Sequence, residues 1–186
     1  ANGGGYRLTV IAKLPIRFDV SAMQAALKAH PELWDRHTLR TEDEDSPHHG
    51  RSDIWARFAD PKTMQPDGSH DSIWYVPEDV LPVRALVHPL MAAVHGERLG
   101  GVLITRIKPG QICKPHTDPG WHARYYEKFC VQIESAPEQA FHFHEKSLVT
   151  APGEVFWFDN SHEHWVTNDS QLDRISMIVC IRTERT

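Results

Sequence analysis

The chain has 186 residues, is 40% hydrophobic and 24% charged, and carries a formal net charge of −5 with its 13 histidines taken as neutral. That length supports one domain with a substantial core, and so mild an acidity gives no broad electrostatic drive toward nucleic acid or an anionic membrane. No apolar run is long enough to cross a bilayer and no basic-then-apolar leader opens the sequence. Cys113, Cys130 and Cys180 are far apart with no CxxC pair, so reduced thiols and a cytoplasmic setting are expected.

In chain order, the β-branched run Tyr6 to Ala12 reads as a strand. A helix follows, capped by Asp19 or by Ser21 in a Ser21–Gln24 capping box, with Val20, Met23 and Leu27 as its apolar stripe and an end near His30-Pro31. Residues 35–51 are polar and include the acidic run Thr41 to Asp45; they read as a solvated loop, with His37, His48, His49 and His70 counted among surface or loop histidines. Residues 52–58 read as a strand whose alternation puts Ile54, Ala56 and Phe58 on one face and Asp53, Trp55 and Arg57 on the other. Residues 59–72 carry loop chemistry. Pro82 opens a second helix along Val83, Leu86, Val87, Leu90 and Val94, with a kink or restart at Pro89 and a stop at Gly96.

From Gly100 the pattern changes to short apolar runs separated by turn signals: Val102–Ile107, Phe129–Ile133, Ala140–His144, Val155–Phe158, His164–Val166 and Ile175–Ile181. Helices first and strands later predict an α+β, mostly β fold: a double-stranded β-helix (jelly roll) with the N-terminal helices packed outside. The expected organisation is a single domain over 1–186, with a strand and helix support region over 1–98 and the jelly-roll core over 99–182.

The chemistry concentrates around Lys114 to Trp121. On an extended segment His116 and Asp118 face the same way, and His162 and His164 follow on a later strand. Two imidazoles and one carboxylate form the facial triad of non-haem Fe(II) sites, which leaves coordination positions open. Arg174 opens an apolar strand after these histidines, an odd choice for a core but apt for a bound carboxylate; the layout fits 2-oxoglutarate. A rival set takes His142 and His144, an HxH on one strand face, together with His116, as in a cupin.

Arg106 to Gly110, Lys114 to Asp118, Ala151 to Asn160, His164-Trp165-Val166 with Asn168, and Asp173-Arg174-Ile175 together resemble the aspartyl/asparaginyl β-hydroxylase family of Fe(II)/2-oxoglutarate dioxygenases over about residues 99–182. The resemblance implies His116 and His164 as iron ligands and Arg174 as the grip on 2-oxoglutarate. It selects His164 over His162 by its place in the segment Asp159 to His164. It also implies Fe(II), 2-oxoglutarate and O2 as cofactor, cosubstrate and oxidant, and hydroxylation of an unactivated C–H.

Two positions depart from the family pattern. The animal β-hydroxylases lack a carboxylate ligand, whereas this chain has Asp118, as do bacterial members acting on free amino acids; a halogenase would need that position vacant. Where the family has Arg-x-His, this chain has Tyr126-Glu127-Lys128, which aligns Lys128 with the group at the other end of 2-oxoglutarate. Candidate substrate contacts are Trp55, Arg57, Trp121, Arg124 and Trp165. His122 and His162 read as surface or supporting residues, and Asp159, Glu163 or Asn168 as partners for a ligand imidazole. The expected partner is a small-molecule or peptide substrate, with no nucleic acid or membrane. The alternative is a cupin-type metal protein, either a cosubstrate-independent enzyme or a non-catalytic binding module.

Overall fold

The computed structural model describes residues 9–184. Two antiparallel sheets build the fold. The larger has seven strands in the order β1 (Ile11–Arg17), β9 (Glu154–Phe158), β6 (Glu127–Glu134), β11 (Arg174–Thr183), β4 (Gly96–Ile107), β2 (Ser52–Ala59) and β3 (Ser72–Trp74). The smaller has four: β5 (Ile112–His116), β10 (His164–Asn168), β7 (Gln139–Phe143) and β8 (Lys146–Leu148). This is the jelly roll expected from the strand spacing. The N-terminal half contributes β1, β2 and β3 to the edges of the larger sheet.

Strand alternation divides the interior. On β11, Ile175, Met177, Val179 and Ile181 join the core beneath the helices, while Arg174, Ile178 and Cys180 point to the opposite face. β6 repeats this, with Phe129, Val131 and Ile133 on the helix side and Lys128 and Cys130 on the other. β9 sends Val155 and Trp157 one way and Phe156 and Phe158 the other. Helices α1 (Ser21–Ala29) and α2 (Arg84–Ala93) cover the first face through Met23, Leu27, Leu86, Val87 and Leu90. The second face lies against the smaller sheet, where Phe141, Phe143 and Val166 meet Phe156 and Phe158.

Several local expectations are corrected. The first strand runs Ile11–Arg17, later than the run read from sequence; Tyr6, Arg7 and Leu8 lie outside the described residues. It is an edge strand, which is where Pro15 is tolerated. The Ser21–Gln24 capping box does not form. Asp19 Oδ1 accepts from the Ser21 amide at 2.9 Å, and Gln24 donates to the Ile133 carbonyl at 2.8 Å instead. α2 runs through Pro89 without a restart, its first amides at Arg84 and Ala85 held by the Glu78 carboxylate. It is closed by His95 at φ 54°, and Gly96 already belongs to β4.

The alternation expected for β2 fails at Phe58. The pairing of β2 with β4 shifts between Trp55 and Arg57, and this bulge turns the strand. Ile54 and Ala56 stay in the core, but Phe58 swings to lie against Trp55, ring centroids 4.0 Å apart. The Pro152-Gly153 turn is packed tightly: Gly153 sits at φ 86°, and a Cβ there would lie 2.2 Å from the Phe18 carbonyl oxygen.

Candidate metal and anion site

The cavity between the sheets encloses about 250 Å³. At its mouth β5 and β10 pair so that His164 lies opposite His116, with ring centroids 4.4 Å apart. Asp118 follows β5, and its Oδ1 lies 3.3 Å from His116 Nε2. The donor atoms of His116, Asp118 and His164 all fall within 4.8 Å of one another.

The backbone fixes which nitrogens face that point. His116 Nδ1 donates to the Lys114 carbonyl at 2.7 Å, and His164 Nδ1 to the His162 carbonyl at 2.9 Å. Each ring is thereby tied at Nδ1 and presents Nε2 inward, the arrangement a ligand imidazole needs. These partners are carbonyls two residues back in the chain, not the side chains of Asp159, Glu163 or Asn168. Asp118 is held by Asn160, whose Nδ2 donates to Oδ2 at 3.2 Å and whose carbonyl accepts the Asp118 amide at 3.0 Å. Burial opposes charge on both His116 and Asp118, but their mutual hydrogen bond prevails. His116 is raised to about 10, and Asp118, also near His164 and Lys128, is held well below the usual carboxylate range. Burial pushes His164 down.

Two cations deeper in the cavity lack carboxylate partners among the described residues. Arg174 is 4% exposed and donates to Ser176 Oγ at 2.7 Å. Lys128 is 6% exposed, with Cys180 Sγ at 3.1 Å and His122 Nδ1 at 3.3 Å. Burial lowers the Arg174 pKa, the mark of a charge removed from water. An isolated buried cation is costly unless something anionic arrives to meet it.

The cavity is also lined by Arg40, His48, Arg51, Cys113 and His122. Arg40, His48 and Arg51 belong to the stretch read as a solvated loop; the loop instead folds over the mouth and turns its cations inward. Nothing in the composition of that stretch signals the direction it faces. The His48 ring meets that of His116 edge-on at 4.8 Å.

The remaining sequence candidates lie elsewhere. Trp55 stacks on His37 at 4.5 Å, and Arg57 sits over the Trp74 ring while donating to the Gly100 carbonyl. Trp121 stacks on Tyr125 beside a separate shallow depression with His70 and Arg98. Arg124 is exposed on the short helix α3 (Gly120–Tyr125), an element absent from the sequence reading. Trp165 alternates with His164 and so points away from the cavity, onto His142. None of these five lines the cavity. The cupin set does not assemble either. On β7, Phe141 and Phe143 face inward, so His142 and His144 face outward, to Ser147 and Thr167 and to Glu163 respectively. His162, exposed, pairs with Asp159.

A jelly roll with two imidazoles and a carboxylate converging at its mouth is a scaffold whose donor set could hold a metal ion. The family model for aspartyl/asparaginyl beta-hydroxylase matches residues 76–184, and the chain belongs to that family of hydroxylase enzymes. No curated protein sequence matches the chain. Among solved structures, it is similar to a 2OG-Fe(II) oxygenase family oxidoreductase from Burkholderia pseudomallei, at TM-score 0.63 and 15% identity over 97% of this chain and 90% of that one. It is similar to a viral collagen prolyl hydroxylase from Paramecium Bursaria Chlorella virus-1 at TM-score 0.57 and 12% identity, over 98% and 100% of the two chains. A Trichoplax adhaerens prolyl hydroxylase solved with a hypoxia inducible factor peptide gives TM-score 0.59 and 10% identity, over 95% and 84%. At these identities the likeness is one of fold. No helix among the described residues is long and apolar enough to cross a membrane.

Proposed function

We propose that the chain is an Fe(II)- and 2-oxoglutarate-dependent dioxygenase that hydroxylates an unactivated C–H of an amino acid, or of an amino-acid residue in a peptide or natural product. The observation that carries this is the convergence of His116, Asp118 and His164 within 4.8 Å, next to two buried cations with no carboxylate partner among the described residues. Two nitrogens and one carboxylate oxygen suit Fe(II) and leave positions free. When bound, Fe(II) and 2-oxoglutarate with O2 supply the oxidising power for hydroxylation, 2-oxoglutarate leaving as succinate and CO2.

The chain's own work is placement. His116 and His164 present Nε2 because their Nδ1 protons are committed to backbone carbonyls. Asn160 fixes the Asp118 carboxylate. Arg174 would receive the distal carboxylate of 2-oxoglutarate in bidentate fashion, and Lys128 the carboxylate nearer the metal. The Arg174 guanidinium reaches Ser176, and Lys128 reaches Cys180. Phe141, Phe158 and Val166 line the cavity and exclude water.

The test is succinate formation from 2-oxoglutarate on addition of Fe(II), with a mass-spectrometric screen of amino acids and peptides for added oxygen. Turnover should require Fe(II) and be abolished by His164→Ala. A His116→Ala protein with full metal-dependent turnover contradicts the assignment.

A further inference from the structure

One cation of the cavity is unused by the cosubstrate reading. Arg51, the loop residue just before β2, is 8% exposed and lines the cavity. Among the described residues its Nε has no hydrogen-bond partner, and a terminal nitrogen meets His48 Nδ1 at 2.5 Å. Its neighbour Arg40 differs, being neutralised by Asp53 at 2.8 Å. Among the described residues no carboxylate pairs with Arg51.

The charges sharpen the point. Arg40, Arg51, Lys128 and Arg174 are four cations, set against the carboxylates of Asp53 and Asp118, which leaves a surplus of two positive charges. A divalent metal and a dicarboxylate cosubstrate cancel one another, so the surplus survives loading of the site. A buried positive surplus, with a guanidinium that meets an imidazole but no carboxylate among the described residues, selects an anionic third component. The His48 ring lies between Arg51 and His116, so an anion on Arg51 would sit one ring away from the metal ligands, on a loop that carries neither Arg174 nor Lys128.

We infer that Arg51 is a specificity-determining residue that receives a free carboxylate of the substrate, and that the molecule hydroxylated is a small organic acid or amino acid with that group unblocked. The inference rests on the cosubstrate reading above, because it assigns to Arg51 the anion that Arg174 and Lys128 do not take. A carboxylate could also come from an acidic side chain of a peptide. The cavity of about 250 Å³, shared with the cosubstrate, favours the small acid.

The experiment is thermal melting of the protein saturated with Mn(II) and 2-oxoglutarate, titrated with sodium propionate, with its uncharged counterpart propionamide, and with a blocked acidic tripeptide, all at matched ionic strength. Propionate should raise the melting temperature and propionamide should not. Arg51→Gln should weaken the apparent propionate affinity at least tenfold while keeping the shift produced by 2-oxoglutarate, which shows that the variant is folded. Arg51→Lys should restore part of the propionate response. Equal responses to propionate and propionamide, stabilisation by the tripeptide alone, or an Arg51→Gln protein that responds as wild type would each overturn the inference. So would an Arg51→Gln protein that has lost the 2-oxoglutarate shift, since Arg51 would then belong to the cosubstrate. Loss of the 2-oxoglutarate shift in the wild type would instead strike at the cosubstrate reading itself.

Discussion

Replacing Arg174 by methionine separates a binding role from a structural one. The guanidinium is 4% exposed and has no carboxylate partner among the described residues, and it donates a hydrogen bond to Ser176 Oγ. Ser176 keeps its contact with Gln132 when the arginine is gone. Removing the charge therefore forfeits one hydrogen bond of about 1 kcal/mol and relieves the burial of an unpaired cation. The ligand-free protein should melt no lower than wild type. Binding should behave oppositely. Truncating one side of a buried, hydrogen-bonded charge pair costs about 2–5 kcal/mol, which at about 1.4 kcal/mol per decade is a roughly 30-fold to several-thousandfold weaker hold on 2-oxoglutarate. The assay is melting temperature against 2-oxoglutarate concentration in the presence of Mn(II). A variant that binds 2-oxoglutarate as wild type does, or that melts far lower without ligand, refutes the reasoning.

Asn160→Ala frees the Asp118 carboxylate and should weaken metal binding about 10- to 100-fold, read by competition with a chelator, with little change in fold by circular dichroism. His142→Ala, on the outer face of β7, should leave metal content and 2-oxoglutarate turnover within about twofold of wild type, within ordinary surface effects; a large loss would revive the cupin set. Gly153→Ala meets the Phe18 carbonyl at 2.2 Å and a left-handed φ, so it should cost about 1–3 kcal/mol in denaturant unfolding. His122 is pushed down to about 3 by burial, then by the charges of Lys128 and His70. Its unfolded form takes a proton below about 6.5 and its folded form does not. Stability should therefore fall as pH drops from about 6.5 toward about 3, by at most about 1.4 kcal/mol per pH unit from this group. His122→Gln should flatten that slope.

The jelly roll was legible because strand period and turn chemistry agree along the second half of the chain; β4, β6, β7, β9, β10 and β11 all fall where apolar runs lie between turn signals. The convergence of His116, Asp118 and His164 was legible for a related reason: positions i and i+2 share a face, and antiparallel pairing brings β10 beside β5. The position of Trp55 and Arg57 away from the cavity was not legible. Trp55 and Arg57 were read with a strict two-residue period, and a single bulge redirected the strand. Arg40, His48 and Arg51 were hidden because composition reports polarity but not the direction a loop faces. A loop over a cavity and a loop in solvent can carry the same residues. His142 and His144 were ambiguous until Phe141 and Phe143 fixed the parity of β7.

The most direct measurement is visible absorption of the Fe(II)-loaded protein under anaerobic conditions as 2-oxoglutarate is added. A keto acid chelating iron held by two imidazoles and a carboxylate should give a charge-transfer band that saturates at one equivalent of 2-oxoglutarate, is absent in His164→Ala and is shifted to much higher concentration in Arg174→Met. A band absent in the wild type, or unchanged when His164 is removed, would contradict the site described by His116, Asp118 and His164.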